Sequence, residues 1–86
     1  MAEVSRFYGI VIHLYWADHQ PPHFQARYGS DEAQLRIDPI GLLRGRLPPR
    51  ILAMVVEWAV LHHDELLADW DLAQVAQPLN PIEGLP

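Results

Sequence analysis

The sequence contains neither cysteine nor lysine. None of its 86 residues is Cys, and all six basic residues are arginine. Without cysteine the chain has no disulfide bond and no thiolate nucleophile, and any metal site has to be built from His, Asp and Glu side chains. The absence of cysteine suits the reducing cytoplasm. The start of the chain lacks a basic signal region, and no apolar run reaches the ~20 residues that a bilayer span needs, so the sequence predicts a soluble cytoplasmic protein without a membrane segment.

Other absences narrow the classes of function. The net charge is −5, so the strongly basic surface typical of non-specific nucleic-acid binding is not indicated. Ser5 and Ser30 are the only serines, and neither stands in the glycine-flanked turn that holds the nucleophile of serine hydrolases. The sequence has no glycine-rich loop of the kind that binds phosphate. We therefore expect neither a serine hydrolase nor a phosphate-binding loop.

The order of strand and helix patterns predicts an α+β fold. Four segments rich in β-branched, aromatic or alternating residues predict strands: residues 7–16, 23–28, 33–38 and, shorter, 42–47. Pro48 and Pro49 then open a helix expected over about residues 50–70, since proline is tolerated in a first helical turn. The prediction is a three- to four-stranded antiparallel sheet with one long C-terminal helix packed on one face. It forms a single domain over residues 1–77, followed by a proline-rich tail over residues 78–86 that either trails free or lies along a sheet edge.

Alternation along the predicted strands separates two faces of the sheet. One face forms the core beneath the helix: Tyr8, Ile10, Ile12, Leu14, Trp16, Phe24, Ala26, Tyr28, Leu35 and Ile37. The opposite face collects polar, aromatic and basic side chains: Val11, His13, Tyr15, His23, Gln25, Arg27, Gln34, Arg36 and Asp38. We expect that the histidines on this face turn outward and that it carries the functional site.

The predicted helix is apolar over most of its circumference. One arc packs on the sheet: Ile51, Leu52, Val55, Trp58, Ala59, His62, Leu66 and Trp70. Further apolar side chains lie outside this arc: Ala53, Met54, Val56, Val60, Leu61 and Leu67. A helix of this kind needs a second cover, which predicts a homodimer or a dedicated protein partner along the surface of residues 54–67. The alternative is that a small domain simply exposes some valine and leucine.

The most specific segment is Asp18-His19-Gln20-Pro21-Pro22-His23, in which two histidines flank a rigid proline pair. Proline fixes its own φ and restricts the residue before it, so both imidazoles are held at a corner between strands. One interpretation is a metal site in which Asp18, His19 and His23 bind zinc or a similar divalent ion and leave one position open. The other is structural, with His19 capping the turn and His23 packing or hydrogen-bonding at the start of a strand.

A separate hypothesis is acid–base catalysis on the open face. A histidine with a pKa near neutrality can move a proton while a guanidinium stabilises developing negative charge, and metal-independent cleavage of RNA needs little more. The candidates for this chemistry are His13, His23, Tyr15 and Arg27. The candidates for binding are Asp18, His19, Gln25 and Arg36. The acidic net charge and the lack of a motif that fixes a nucleophile argue against catalysis.

The Asp-His-x-Pro-Pro-His-Phe core over residues 18–24 is unusual, and Gly45-Arg46-Leu47-Pro48, Glu57-Trp58 and Trp70 accompany it along the chain. With these segments the chain resembles, over nearly its whole length, a small bacterial family described as domain of unknown function 4160. Members of that family commonly carry a second histidine where this chain has Gln25. If that histidine were a required ligand or proton carrier, this protein would be impaired, because Gln25 can only donate and accept hydrogen bonds.

The resemblance also implies a partner. Genes of this family often lie beside a second small domain of unknown function, in arrangements that resemble toxin–antitoxin modules. We therefore expect a small cytoplasmic interaction protein that binds a cognate protein from the neighbouring gene, and nucleic acid as a further candidate, through the open sheet face. The alternatives are a metal-independent ribonuclease toxin and a His/Asp metal-binding domain. No cofactor is expected, apart from a zinc-type ion in the last case.

Overall fold

The computed structural model describes residues 2–86 and shows an α+β fold. Five strands come first: β1 (Ala2–Phe7), β2 (Ile10–Leu14), β3 (His23–Tyr28), β4 (Asp31–Ile37) and β5 (Ile40–Gly45). Two helices follow, α1 (Pro49–Leu61) and α2 (His63–Gln74). Each strand pairs antiparallel with the next, so the sheet order is β1-β2-β3-β4-β5. The predicted class is confirmed, but the sheet has five strands instead of three or four, and two helices stand in place of one.

The additional strand lies at the N-terminal end. The sequence predicted one strand over residues 7–16, but Tyr8 and Gly9 form a two-residue turn between β1 and β2, with Phe7 paired to Ile10. Both turn residues have positive φ, 49° at Tyr8 and 79° at Gly9, as tight hairpin turns require. Glycine adopts this geometry without strain. The turn escaped prediction because the aromatic and β-branched residues around it favour an unbroken strand.

The helical segment is interrupted at His62. The backbone there leaves helical geometry, with φ −114° and ψ 26°. Neither glycine nor proline marks the break, so the apolar periodicity over residues 50–70 predicted one continuous helix. Most of the predicted inward arc is nevertheless buried: Ile51, Val55, Trp58, Ala59, Leu66 and Trp70.

Trp58 of α1 lies at the centre of the core. Its ring is fully buried and contacts Phe7 of β1 and Phe24 of β3, at 5.4 and 5.8 Å between ring centroids. The inward residues of the strands are buried around it: Ile10, Ile12, Leu14, Ala26, Leu35 and Ile37. Two predicted core residues are instead exposed, because Tyr8 lies in the first turn and Trp16 lies beyond the end of β2.

The C-terminal tail lies along the β1 edge of the sheet. The Ile82 backbone N–H donates to Val4 O at 2.7 Å, and the Ile82 side chain is buried. Trp58 Nε1–H donates to Glu83 O at 2.8 Å, and Tyr8 Oη–H donates to Pro86 O at 2.6 Å. Of the two arrangements considered for the tail, the structure shows the one along a sheet edge. The tail therefore covers the β1 edge.

The apolar surface outside the core is smaller than the sequence suggested. Met54, Val56 and Leu67 pack against the core, whereas Val60 and Leu61 at the end of α1 are more than half exposed. No helix in the described part of the chain is long and apolar enough to cross a membrane.

Candidate functional site

The sheet face turned away from the core carries rows of polar side chains that strand pairing sets side by side. One row crosses all five strands: Glu3, His13, Gln25, Gln34 and Arg44. A second row runs beside it: Arg6, Val11, Arg27 and Glu32. Together with Tyr15 and Arg36 we call these residues the open sheet face. Asp38 was predicted here, but β4 ends at Ile37, and Asp38 lies in the following turn with its Oδ1 3.4 Å from His63 Nε2.

His13 lies on the open sheet face and yet has no exposed surface. The ring of Tyr15 packs edge-on against its imidazole with 5.5 Å between centroids, and Glu32 Oε2 lies 3.9 Å from His13 Nε2. Neither ring nitrogen has a hydrogen-bond partner among residues 2–86. Burial lowers the pKa of His13, and the Glu32 carboxylate opposes this only in part. The imidazole is therefore neutral at pH 7, and although it lies on the predicted face it is covered there, which corrects the expectation that it is open to solvent.

Gln25 is buried beside His13 in the same row, with 4% of its surface exposed. Arg27, Tyr15 and Glu32 are side chains of this face that reach solvent. Glu3 and Arg6 at its margin form an ion pair at 2.7 Å, in which the hydrogen bond from Arg6 lowers the pKa of Glu3. The accessible chemistry of the open sheet face is thus provided by guanidinium groups, a phenol and two carboxylates.

His23 belongs to a different group of contacts, at the proline corner. Only 2% of its surface is exposed, and its ring packs on Trp70 of α2 with 5.3 Å between centroids. His23 Nδ1–H donates to Pro21 O at 2.7 Å. On the other side of the ring, Nε2 lies 2.9 Å from Asp18 Oδ2. The second predicted outward imidazole is therefore also buried, because α2 covers it.

Asp18 and His19 complete the proline corner. Asp18 Oδ1 accepts a hydrogen bond from the His19 backbone N–H at 2.9 Å, and His19 Nε2 lies 3.7 Å from the same oxygen. The His19 and His23 rings are 5.4 Å apart between centroids, and His19 Nδ1–H donates to Gln20 O at 3.2 Å. The structure therefore brings together the three residues considered for metal binding. Within the described residues, no three His, Asp or Glu side chains are arranged as they stand to hold a metal ion.

The four residues considered for catalysis are divided between these two places. His13 contacts Tyr15, and Arg27 lies one row away on the open sheet face. The contacts of His23 are instead Pro21, Asp18 and Trp70. Of the residues considered for binding, Gln25 and Arg36 lie on the open sheet face and Asp18 and His19 lie at the corner. The hydrogen bond from Arg36 Nε to Pro39 O holds that guanidinium near the β4–β5 turn.

A third group of histidines lies where the two helices meet. His62 packs on Trp58 with 5.6 Å between ring centroids and contacts Glu65, whereas His63 lies 3.0 Å from Asp64 and 3.4 Å from Asp38. The hydrogen bond with Asp64 is the main cause of the raised pKa of His63. These contacts are those of a solvated surface cluster, as the sequence suggested for His63.

Three residues that the sequence did not single out shape these sites. Glu32 and Arg44 face outward because pairing places them opposite Arg27 and Gln34, and Trp70 covers His23. The alternation of β4 contained a signal for Glu32, since it lies two residues before Gln34. Trp70 was expected in the inward arc, but only the tertiary fold shows which side chain it covers.

Comparison with known proteins identifies the family. No curated protein matches the chain, and no solved structure matches it. The model of one family, Domain of unknown function (DUF4160), matches residues 9–71, which include the proline corner, strands β2 to β5 and most of the two helices. Since this match covers well over half of the 86 residues, the chain belongs to the DUF4160 family.

Proposed function

We propose that this protein is a small cytoplasmic interaction protein of a toxin–antitoxin-like pair and that its open sheet face binds the cognate protein. The observation that carries the proposal is the distribution of charge. Four arginines, Arg6, Arg27, Arg36 and Arg44, lie on the open sheet face against two carboxylates, Glu3 and Glu32. The face is thus basic although the whole chain carries a net charge of −5.

The helical layer has the opposite charge. Its exposed acidic side chains are Glu57, Asp64, Glu65 and Asp71, and Arg50 is the only arginine or lysine in either helix. An acidic protein surface would therefore be attracted to one side of this molecule and repelled by the other. Arginine and tyrosine are also the residue types most often found at the energetic centres of protein interfaces.

Buried side chains on the open sheet face hold the binding surface in a fixed arrangement. His13 and Gln25 are buried, and they lie on β2 and β3, which are hydrogen-bonded to neighbouring strands on both sides. A surface built on paired strands loses little conformational freedom when it binds, so that more of the contact energy appears as affinity.

The test is binding of the product of the adjacent gene, measured with purified proteins by titration calorimetry and gel filtration. We expect a stable complex that Arg27→Glu weakens by at least about tenfold. Arg50→Glu is the matched control, because it makes the same change of charge at an exposed position in the first turn of α1. It should leave the affinity within about twofold, since an exposed charge far from an interface has little effect.

Three outcomes would contradict the proposal. They are the absence of a complex, an equal effect of both charge reversals, and tight binding of an RNA oligonucleotide without binding of the adjacent gene product. The last outcome would favour nucleic acid as the partner. Gel filtration of the protein alone tests the homodimer predicted along the surface of residues 54–67, where Val60 and Leu61 are exposed.

The ribonuclease alternative has less support from the geometry. His13 is neutral and covered, and His23 donates its Nδ1 proton to Pro21 O beside Trp70. A general base has to reach the proton that it removes, directly or through one water molecule. These two imidazoles contact different parts of the fold and do not form a pair on the open sheet face.

A further inference from the structure

We propose that Asp18, His19 and His23 bind a divalent transition-metal ion, with Zn²⁺ as the representative. The proposal is independent of the binding function argued above and concerns the other group of contacts, at the proline corner. It rests on one ring nitrogen of each histidine lying beside the Asp18 carboxylate, at 2.9 Å for His23 and 3.7 Å for His19, and on the burial of the His23 nitrogen.

The hydrogen bond of His23 fixes which ring nitrogen faces Asp18. Pro21 O can only accept, so His23 Nδ1 carries the proton of that bond at 2.7 Å, and Nε2 is the ring nitrogen left to bind a ligand. Nε2 is buried and lies 2.9 Å from Asp18 Oδ2, an oxygen that accepts hydrogen bonds. A lone pair on Nε2 and a carboxylate oxygen at this distance repel each other unless a cation lies between them.

The direction of approach distinguishes a metal ion from a proton. Although His23 Nε2 and Asp18 Oδ2 are only 2.9 Å apart, they do not form a hydrogen bond, and Nε2 has no hydrogen-bond partner in the described part of the chain. A shared proton has to lie close to the line between nitrogen and oxygen. A metal ion bound to both atoms lies off that line, because its ligands meet at about 90° to 110° in octahedral and tetrahedral sites.

His19 supplies the third ligand. Its Nδ1–H donates to Gln20 O at 3.2 Å, so Nε2 is its ring nitrogen available to a metal ion, and it lies 3.7 Å from Asp18 Oδ1. Histidines that bind metals usually donate the other ring N–H to a carbonyl or carboxylate in this way, which fixes the tautomer. The His19 side chain is 78% exposed, so a rotation of this ring completes a set of ligands that does not yet surround a common point.

The donor set selects the class of metal. Two imidazole nitrogens and one carboxylate oxygen suit Zn²⁺, Ni²⁺ or Co²⁺, whereas Ca²⁺ and Mg²⁺ prefer oxygen ligands alone. With metal–ligand bonds of about 2.0–2.2 Å, neighbouring ligand atoms are about 3 Å apart, close to the distance between His23 and Asp18. Trp70 closes one side of the site, and the exposure of His19 leaves the other side open for a water molecule or a substrate.

The experiment is calorimetric titration of the chelator-treated protein with Zn²⁺. We expect one ion per chain, with affinity reduced at least about tenfold by Asp18→Asn and by His19→Ala. His19→Ala replaces an exposed side chain, so the fold is kept even if Asp18→Asn disturbs the corner. His63→Ala is the matched control, because His63 also lies beside two carboxylates, Asp64 and Asp38, but it should not change the affinity.

A second readout separates metal binding from a structural role. Addition of Zn²⁺ should shift the ring Cδ2–Hδ2 NMR signals of His19 and His23 and leave those of His13 and His63 in place. The proposal is overturned if no binding occurs below about 1 mM Zn²⁺, a weak limit on the scale of protein affinities. It is equally overturned if His63→Ala weakens binding as much as His19→Ala does, or if Zn²⁺ shifts the wrong histidine signals.

Discussion

One unusual residue in this fold is His13, whose imidazole is buried and has no hydrogen-bond partner among residues 2–86. His13 lies in β2, where both neighbouring strands pair with it and the side chains of Tyr15 and Glu32 approach its ring. A buried polar group without a partner costs about 1–3 kcal/mol. Since the core on the other side of the strand is well packed, the fold tolerates this cost, and the cost depends on pH.

The first prediction concerns this dependence. Burial lowers the pKa of His13 in the folded protein below the 6.5 of an unperturbed histidine. As the pH falls through about 6.5, the unfolded chain therefore binds a proton before the folded protein does, and the free energy of unfolding decreases. The His13→Leu variant has no titrating group at this position. Between about pH 7.5 and about pH 5 its free energy of unfolding should therefore decrease less than that of the wild type, with a difference of up to about 1.4 kcal/mol per pH unit. Urea unfolding across this range measures the difference.

The other titrating histidine with a shifted pKa serves as an internal control. Hydrogen bonding to Asp64 raises the pKa of His63, so its contribution to stability is present below pH 6.5 and is lost as the pH rises through the folded pKa. The wild type and the His13→Leu variant share this contribution of His63, so it cancels when their free energies of unfolding are subtracted at each pH. Parallel stability curves for the two proteins would show that His13 is not held neutral by burial.

At the level of single residues, the sequence correctly predicted on which face of the sheet a side chain lies, but not whether that side chain is exposed to solvent. The period of two correctly separated Ile12, which points into the core, from His13, which points away from it. Whether a residue on the outer face is covered depends on long side chains of neighbouring strands, such as Glu32, and on helix side chains that pack on it, such as Trp70 on His23. Neither is encoded in the local pattern around His13 or His23.

At the level of elements, the two edges of the sheet differ in whether the C-terminal tail lies along them. The β1 edge receives a backbone hydrogen bond from Ile82, and Glu83 O accepts one from Trp58 in the core. β5 is the other edge strand, and Leu42 and Leu43 on it are exposed. The sequence indicated a proline-rich tail, but its place along β1 could not be derived, because it depends on contacts between residues about 78 positions apart, as in the bond from Tyr8 to Pro86.

The second prediction tests this role of the tail. Ile82 is 5% exposed, so Ile82→Ala removes buried methyl groups and should lower the free energy of unfolding by about 2–3 kcal/mol. Val75→Ala is the control, since Val75 is 65% exposed and its truncation should cost less than about 0.5 kcal/mol. Urea unfolding measures both, and faster hydrogen exchange at β1 amides should accompany the first. Equal effects of the two substitutions would mean that the tail contributes no packing to the fold.

At the level of the whole molecule, charge is separated across the two layers. Arg27, Arg36 and Arg44 lie on the sheet side, and Glu57 and Asp71 lie on the helical side. The composition gives only the net charge of −5, which argued against a basic surface. The separation arises from the order of elements, since four of the six arginines lie in strands and five of the eleven carboxylates lie in helices, which form the other layer of the fold.

The last prediction follows from this separation. If an acidic partner binds the open sheet face, the attraction between the two surfaces acts mainly before contact, so the association rate should depend on salt more than the dissociation rate does. The association rate with the adjacent gene product can be measured by stopped flow. It should fall by about tenfold or more as the ionic strength rises from about 0.05 to about 0.5 M, because the Debye screening length shortens from about 14 to about 4 Å over this range. Arg27→Glu should reduce both the rate at low salt and its dependence on salt, while Arg50→Glu should not reduce the dependence. A rate that is insensitive to salt in the wild-type protein would exclude the arginines of this face as the source of recognition.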